Sequence, residues 1–313
     1  MARLSIIIPC YYNEENLPVT YARLQAMESS LPPETQVEYV FIDDGSGDGT
    51  FRVLQGMQSA EPDRIVLIKL AGNVGSYNAI LAGMAHSRGD CCTVISADLQ
   101  DPPELIPRMF AYWQDGFKLV MANRERREEP FFKQLFARLF HRLIRRFALR
   151  NIPPGGFDFV LFDRKLCDEV VAMDEKNTNT LFLLPWTGYP YVSIPYVRQA
   201  REIGKSRWTL TKKVKLFIDS FIAFSFFPIR LIAASGLILG VLALGYAAFI
   251  LYARLTGSIE VEGWSALMLV ILVVSSFQMM ALGVLGEYLW RTLDAVRKRP
   301  NYIIDELKDE RKA

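Results

Sequence analysis

The sequence contains few of the residues that build metal sites and disulfide frameworks. Among its 313 residues there are only two histidines and four cysteines. His86 and His141 fit neither a catalytic triad nor a metal-ligand set, and we interpret both as structural residues. The cysteines show no Cys-x-x-Cys or Cys/His spacing, which argues against a zinc site. We expect them to be reduced, buried side chains: Cys10, Cys91, Cys92 and Cys167.

The chain also has almost no net charge. Its 36 Lys and Arg residues against 34 Asp and Glu residues leave a formal charge of +2. This balance gives no overall attraction to nucleic acid, and we expect no nucleic-acid partner. The N-terminus lacks the long apolar stretch and the cleavage site of a signal peptide, because its short apolar run ends at Pro9. We therefore expect the N-terminal domain to stay in the cytoplasm.

Two segments contain no charged residue at all, 231–252 and 264–285. A helix needs about 20 apolar residues to cross the hydrocarbon core of a bilayer, and both segments reach that length. A helical hairpin buried in a soluble core is the alternative, but it needs more surrounding protein than this chain supplies. The two segments therefore predict a transmembrane hairpin.

Basic residues flank this hairpin on both sides, whereas the connecting loop 253–263 has Arg254 opposed by Glu260 and Glu262. Lys and Arg are retained on the cytoplasmic side of a membrane. We therefore expect a multi-pass protein of the cytoplasmic (inner) membrane, with the N-terminal domain and both termini in the cytoplasm. The segment 209–229 mixes lysines with aromatic residues, which is typical of an amphipathic helix in the headgroup layer.

The predicted organisation has four parts. They are a cytoplasmic domain over 1–208, an interfacial amphipathic helix over 209–229, a two-helix hairpin over 230–286 and a cytoplasmic basic tail over 287–313. Gly236 and Gly240 have the spacing of small residues at helix–helix contacts in membranes. We therefore expect a homo-oligomer, with a tetramer as one candidate form.

The N-terminal part alternates short apolar runs with longer stretches. The runs predict strands, and the stretches between them, such as 17–29 and 75–86, have the length and apolar spacing of helices. This alternation predicts an α/β fold with a mostly parallel sheet. Ligands of such sheets bind at the carboxyl ends of the strands. The predicted strands cover 4–8, 37–42, 65–70, 92–96 and 119–122.

Acidic residues follow three of these strands: Glu14 the first, Asp43 the second and Asp98 the fourth. A rim of carboxylates repels phosphates unless a cation is present, and Mg²⁺ or Mn²⁺ takes such hard oxygen ligands. The glycine-rich stretch 45–49 lacks the G-x-G-x-x-G spacing of a dinucleotide site. The rim therefore favours a nucleotide whose phosphates arrive with a divalent metal.

Several motifs occur together in this chain. They are Ile8-Pro9 with Tyr12-Asn13-Glu14-Glu15, Asp43-Asp44-Gly45-Ser46, the run 97–104 (ADLQDPPE), the run 201–208 (REIGKSRW) and Leu285-Gly286-Glu287-Tyr288 ahead of a basic tail. With these motifs the chain resembles the family 2 glycosyltransferases of the GT-A fold, and specifically the membrane-anchored polyprenyl-phosphate glycosyltransferases. That group includes bactoprenol glucosyltransferases and dolichol-phosphate mannose synthases. The resemblance covers nearly the whole chain.

The resemblance implies a Rossmann-like GT-A sheet and a hexosyltransferase activity. The enzyme would move a sugar from a nucleotide-sugar donor to a polyprenyl (undecaprenyl-type) phosphate, with inversion of the anomeric carbon. The product would be a lipid-linked sugar for glycan or cell-envelope modification.

The resemblance also assigns candidate roles to individual residues. A divalent metal, Mg²⁺ or Mn²⁺, is expected at Asp98 and Gln100, and the catalytic residues would be Asp98, Asp101 and Arg124. The acceptor phosphate is expected at four basic residues: Arg124, Arg127, Arg201 and Lys205. The nucleotide sugar is expected at Pro9, Tyr11, Tyr12, Glu14, Asp43, Asp44, Asn73, Ser96, Ala97 and Asp98.

One position departs from the family pattern. Ser96 stands where relatives usually have the first Asp of an Asp-x-Asp motif. Mg²⁺ usually keeps several waters and needs only one or two protein carboxylates, so Asp98 without a second Asp is compatible with activity. Ser96 also supports a hypothesis of another class, a membrane-tethered nucleotide-sugar sensor without turnover.

The identity of the donor is open at this stage. UDP-glucose is favoured, because the whole-chain match is closest to the two-span bacterial enzymes. GDP-mannose, UDP-N-acetylglucosamine and a UDP-modified arabinose are the alternatives. A growing polysaccharide is a less favoured acceptor, because two spans in one chain are too few to form a channel.

Overall fold

The computed structural model of the chain describes residues 1–124, 146, 149, 152–153, 156–197, 219, 222–256 and 263–311. The chain divides into two compact units. One comprises Met1–Ser220 together with Pro300–Ala313, and the other comprises Phe221–Arg299.

A mixed sheet of eight strands forms the first unit. The strands are β1 (Arg3–Cys10), β2 (Gln36–Asp43), β3 (Ile65–Leu70), β4 (Cys91–Val94), β5 (Leu119–Arg124), β6 (Phe157–Asp163), β7 (Tyr191–Tyr196) and β8 (Ile304–Lys308). Their spatial order is β7-β5-β6-β4-β1-β2-β3-β8. All neighbouring pairs are parallel except those that involve β6 or β8. The predicted α/β fold with a mostly parallel sheet is therefore confirmed.

Helices pack on both faces of this sheet. They are α1 (Leu17–Glu28), α2 (Thr50–Ala60), α3 (Ser76–His86), α4 (Ile106–Gln114), α5 (Arg164–Met173) and α6 (Thr180–Trp186). On one face, α1, α2 and α4 share a buried apolar cluster with Ile6 and Ile8 of β1. On the other face, α3 comes so close to β1 that a Cβ at Gly83 would lie 2.5 Å from Cγ2 of Ile7. Because β1 is buried on both faces, its sequence is largely apolar.

Five of the strands match the sequence prediction, with ends that differ by one or two residues. The fourth predicted strand, 92–96, is β4 and ends at Val94. The other three, β6, β7 and β8, lie outside the predicted strands. Both edge strands carry weak local signals, since β7 contains Pro195 and β8 is largely charged, features typical of sheet edges.

The segment 287–313, the predicted cytoplasmic basic tail, contains the end of a helix and a strand. Its first residues continue a long helix that ends at Val296, and β8 then pairs antiparallel with β3. Backbone Ala71 N also donates a hydrogen bond to the carbonyl of Ile303, 2.9 Å away. The chain therefore leaves the first unit after Ser220 and returns to it at Pro300.

The second unit contains two long apolar helices, α7 (Phe227–Leu255) and α8 (Trp264–Val296). The segments Phe227–Ile250 and Ala266–Val296 have mean hydropathies of 2.1 and 2.3, and both are long enough to cross a membrane. The predicted spans 231–252 and 264–285 lie within α7 and α8. The predicted interfacial helix over 209–229 falls mostly outside the described residues.

The two glycines of the predicted oligomer contact have different surroundings. A Cβ at Gly236 would lie 3.6 Å from the ring of Phe277 on α8, so this glycine faces its own hairpin. Gly240 has open space beside its Cα. The homo-oligomer stays a prediction.

Candidate active site

The loops after β2 and β3 are joined by a single carboxylate. Asp44, which directly follows β2, is buried and accepts hydrogen bonds from three donors of the next loop. These are Asn73 Nδ2 at 2.9 Å, Val74 N at 2.7 Å and Gly75 N at 3.0 Å. Asp44 therefore fixes the turn that leads into α3. Its predicted contact with the nucleotide sugar stays a prediction.

Gly45 allows these two loops to approach each other closely. Its φ of +68° lies in the left-handed region, where residues with a Cβ are disfavoured. A Cβ at this position would also lie 2.7 Å from the carbonyl carbon of Gly72 and 2.8 Å from Asn73 N. Both atoms belong to the backbone, so no side chain can move aside. The Asp-Asp-Gly-Ser motif thus has a local structural reason for its glycine.

The loop after β1 is attached to the same region. Tyr12 has a φ of +56°, and its backbone N–H donates to Ser46 Oγ at 3.0 Å. The rings of Tyr11 and Tyr12 meet edge to face with centroids 4.7 Å apart. Glu14 Oε2 accepts a hydrogen bond from Gly49 N at 2.9 Å, just before α2 begins. These contacts place the predicted nucleotide residues of the first two loops together.

Asp43, the last residue of β2, is a fully buried acid at this edge. Its Oδ1 accepts a hydrogen bond from Ser46 N at 3.2 Å, whereas Oδ2 has no hydrogen-bond partner within the described part of the chain. Burial raises the pKa of the Asp43 carboxyl, although hydrogen bonds from Ser46 oppose that shift. A buried acceptor without a partner is costly, and a donor group of a bound ligand would satisfy it.

The loop after β4 brings together Ser96, Asp98 and Asp101. Ser96 Oγ lies 2.8 Å from Asp98 Oδ1 and 3.2 Å from Asp101 Oδ2. Backbone Gln100 N donates to Asp98 Oδ1 at 3.3 Å, and Leu99 between them has a φ of +54°. The loop therefore curls around the Asp98 carboxylate.

Tyr196 contributes to this loop from the far edge of the sheet. Its hydroxyl donates to Asp101 Oδ1 at 2.5 Å, and both residues are buried, with 6% and 2% of their surfaces exposed. Tyr196 is not among the site residues predicted from the sequence. The local signal is limited to an aromatic residue at the end of the alternating run Tyr191–Tyr196.

The residues present fit a hard divalent cation, although they do not form a full cage. No group of three or more His, Cys, Asp or Glu side chains arranged for a metal occurs among the residues that the structure describes. The predicted ligands Asp98 and Gln100 would supply one carboxylate and one amide oxygen. Mg²⁺ is typically bound through one or two carboxylates together with substrate phosphates and water. This donor set therefore suits a metal that arrives with a nucleotide diphosphate.

Of the remaining predicted residues, three lie within the described part of the chain and three lie outside it. Pro9 lies near the end of β1, and the carbonyl of Ala97 accepts a hydrogen bond from Thr20 Oγ1 at 2.9 Å. Arg124 is the last residue of β5, where its backbone is in register with Tyr196 of β7. The other three predicted phosphate-binding residues lie outside the described residues: Arg127, Arg201 and Lys205.

Comparisons with known proteins concern the family and the fold of this chain. The sequence profile described as "Glycosyl transferase family 2" matches residues 5–171. A relative from Bacillus subtilis (strain 168), "Uncharacterized glycosyltransferase YkcC", is 36% identical over 303 residues, which is 96% of this chain and 93% of the relative. Another from Escherichia coli (strain K12), "Prophage bactoprenol glucosyl transferase homolog", is 32% identical over 307 residues, which is 98% of this chain and 99% of the relative.

A solved structure is similar in fold. It is the mannosyltransferase PcManGT from Pyrobaculum calidifontis in complex with GDP-Man and Mn²⁺. The TM-score is 0.50 at 17% identity, and the match covers 92% of this chain and 87% of that protein. At this identity the similarity concerns the fold alone, and it agrees with the GT-A fold expected from the sequence.

Proposed function

The chain belongs to glycosyl transferase family 2, and we propose that it transfers a sugar from a nucleotide diphosphate to the phosphate of a polyprenyl lipid. Membership of this family makes it a hexosyltransferase. Within the proposal, UDP-glucose is the favoured donor and an undecaprenyl-type phosphate is the acceptor. The product would be a lipid-linked sugar made at the cytoplasmic face of the membrane and used for cell-envelope glycans.

The observation that carries the proposal is the convergence of acidic loops at one edge of the parallel sheet. Asp43, Asp44 and Asp98 each lie at or just after the carboxyl end of a strand. Hydrogen bonds hold the loops that surround these carboxylates, so little ordering is needed when a donor binds. Such an edge suits a nucleotide diphosphate with a divalent cation, and it does not suit a free anion.

Two further observations support a lipid acceptor. The second unit has two helices with the length and hydropathy of membrane spans. The name of the Escherichia coli relative refers to bactoprenol, a polyprenol. We propose that α7 and α8 anchor the chain in the cytoplasmic membrane, with both termini in the cytoplasm, so that the acceptor phosphate and the soluble donor meet at the surface.

The described residues suggest how the chain handles the donor. Asp43 Oδ2 accepts a hydrogen bond from the nucleotide, and Asp44 holds the adjacent loop in place. Asp98 and Gln100 would hold Mg²⁺ or Mn²⁺, and a metal held there would supply neutralisation of the negative charge on the leaving nucleotide diphosphate.

The acceptor needs little activation by a base. A phosphate monoester has a second pKa of about 6 and is largely a dianion at neutral pH. One of its oxygens attacks the anomeric carbon while the bond from that carbon to the nucleotide phosphate breaks, which inverts the configuration. Basic side chains would hold the dianion beside the acidic rim, because the guanidinium group binds phosphate in a bidentate manner. The candidates are Arg124, Arg127, Arg201 and Lys205.

A transfer assay tests this proposal. Membranes that contain the full chain are incubated with polyprenyl phosphate, Mg²⁺ or Mn²⁺, and radiolabelled UDP-glucose, GDP-mannose or UDP-N-acetylglucosamine, and label in the organic phase is counted. We expect metal-dependent label from UDP-glucose. Asp98→Asn should abolish it, whereas Asp63→Asn, at an exposed site between α2 and β3, should not. Binding of a donor without transfer from any of them would favour the nucleotide-sugar sensor.

A further inference from the structure

We propose that Tyr196 and Ser96 are positioning residues for the Asp98 carboxylate: Ser96 contacts Asp98 directly, and Tyr196 acts through Asp101 and Ser96. The inference rests on the proposed function, because it concerns the site where that function places the metal. Tyr196 of the edge strand β7 would help to orient a metal ligand, and Ser96 would orient Asp98 from the position where relatives usually have an Asp.

The four side chains form a continuous series of hydrogen-bond contacts. Tyr196 Oη lies 2.5 Å from Asp101 Oδ1, Asp101 Oδ2 lies 3.2 Å from Ser96 Oγ, and Ser96 Oγ lies 2.8 Å from Asp98 Oδ1. Asp101 and Tyr196 are buried and expose 2% and 6% of their surfaces, whereas Ser96 and Asp98 are partly buried. A buried polar series of this kind has few alternative arrangements, because water does not replace a broken contact.

The carboxylate to which Ser96 donates its hydroxyl proton depends on Tyr196. A serine hydroxyl carries a single proton, so the two carboxylates beside Ser96 compete for it. The Tyr196 hydroxyl already donates a hydrogen bond to Asp101. A second hydrogen bond from Ser96 therefore stabilises the Asp101 carboxylate less. Ser96 then donates to Asp98 and orients it. Without the Tyr196 hydroxyl, the serine proton turns toward Asp101, and Asp98 loses this contact.

The position of Tyr196 at the end of β7 also links the loop after β4 to a second part of the proposed site. Tyr196 is the last residue of β7, five positions before Arg201 in the sequence. It is also in register with Arg124 at the end of β5. The hydrogen bond to Asp101 therefore connects the loop after β4, which carries the proposed metal ligands, to β7. In the sequence, β7 precedes Arg201, one of the proposed acceptor-binding residues.

Metal binding measured without turnover tests the inference. The full chain in detergent is saturated with UDP, and Mn²⁺ is titrated while the EPR signal of the free ion is recorded. We compare the wild-type chain with Tyr196→Phe, Ser96→Ala and the double variant. Tyr191→Phe, the same substitution at the other end of β7, is the matched control.

We expect Tyr196→Phe and Ser96→Ala each to weaken Mn²⁺ binding about tenfold, the lower end of the range for residues that orient metal ligands. Because both act through the same contact, the double variant should also lose about tenfold and not a hundredfold. In Tyr196→Phe, UDP affinity in EDTA should stay at the wild-type value, because Tyr196 is not among the predicted nucleotide-binding residues. The loss of its buried hydrogen bond to Asp101 should lower the unfolding midpoint of this variant. In the transfer assay, Tyr196→Phe should raise the KM for the metal while kcat at saturating metal is largely kept.

Three results would overturn the inference. They are wild-type Mn²⁺ affinity in Tyr196→Phe, multiplicative losses in the double variant, and an equal loss of UDP affinity in EDTA, which would indicate a general distortion of the site. A different result would contradict the proposed function. A wild-type chain that binds UDP and Mn²⁺ but transfers no sugar contradicts transfer, whereas the EPR comparison of the variants does not require turnover.

Discussion

Arg311 Nη1 lies 2.7 Å from Glu38 Oε2, and both side chains are only 4% exposed to solvent. Glu38 lies near the start of β2, and its Oε1 also accepts hydrogen bonds from Ser5 Oγ, Arg88 N and Gly89 N. This ion pair joins the C-terminal end of the described chain to an interior strand of the sheet. It holds the returning segment in place beyond the pairing of β8 with β3.

Replacing Arg311 by Met should destabilise the first unit strongly. The substitution leaves the Glu38 carboxylate buried without its cationic partner, a change of about 3 kcal/mol in the free energy of unfolding. Lys308→Met is the control, because Lys308 forms a 3.6 Å ion pair with Glu306 in which both side chains are partly exposed. We expect a change of about 0.5 kcal/mol or less for the control. Urea unfolding followed by tryptophan fluorescence measures both variants, and equal effects would contradict a structural role for the buried pair.

The same segment should make stability depend on pH. The Arg311 guanidinium beside Asp309 holds the pKa of that carboxyl below its usual value. A depressed pKa in the folded state stabilises the protein fully above the pKa of the unfolded chain, about 3.9, and the contribution is lost as the pH falls through the folded pKa. Unfolding free energies measured from pH 7 down to acid should therefore differ between wild type and Asp309→Asn at neutral pH and converge in acid. A difference that stays constant over this range would refute the assignment.

Asp44→Asn should disrupt the loop after β3. The carboxylate accepts from Asn73, Val74 and Gly75, whereas an amide offers only one acceptor oxygen and turns N–H groups toward other donors. We expect a loss of about 1–3 kcal/mol in the free energy of unfolding, together with faster hydrogen exchange at Val74 and Gly75. UDP affinity, measured by calorimetry, should fall about tenfold or more, since roughly 1.4 kcal/mol of lost preorganisation corresponds to that factor. Asp63→Asn should leave both quantities unchanged.

A comparison of Gly45→Ala with Gly116→Ala separates two costs of a Cβ at Gly45, the strain of a positive φ and the clash with the backbone of the next loop. Gly45 and Gly116 both have positive φ values, +68° and +98°, but only Gly45 has backbone atoms where a Cβ would stand. Gly116→Ala should therefore show only the conformational penalty, about 1–2 kcal/mol. Gly45→Ala should add about 1–3 kcal/mol from overpacking, and it should also weaken UDP binding. Unfolding free energies of the two variants test this, and equal losses would show that the contact with the β3 loop is unimportant.

The sequence by itself determined the parts of this protein that depend on local patterns. The apolar runs of β1 to β5 predict buried parallel strands because both of their faces are covered, and the charge-free segments within α7 and α8 are long enough to predict spans. The acidic residues after the strands could be placed at one edge, because parallel strands end on the same side. The motifs were sufficient to identify the family.

Only the tertiary structure decided which side chains meet across long stretches of chain. Tyr196 and Asp101 are 95 residues apart in sequence, and Arg311 and Glu38 are 273 apart. Neither contact leaves a periodic signal, because each depends on the order of strands in the sheet. β7 and β8 are edge strands with mixed polarity, so their pairing with β5 and β3 follows from the completed sheet. The sequence thus places the acidic residues at the site, whereas the sheet order supplies the partners that orient them.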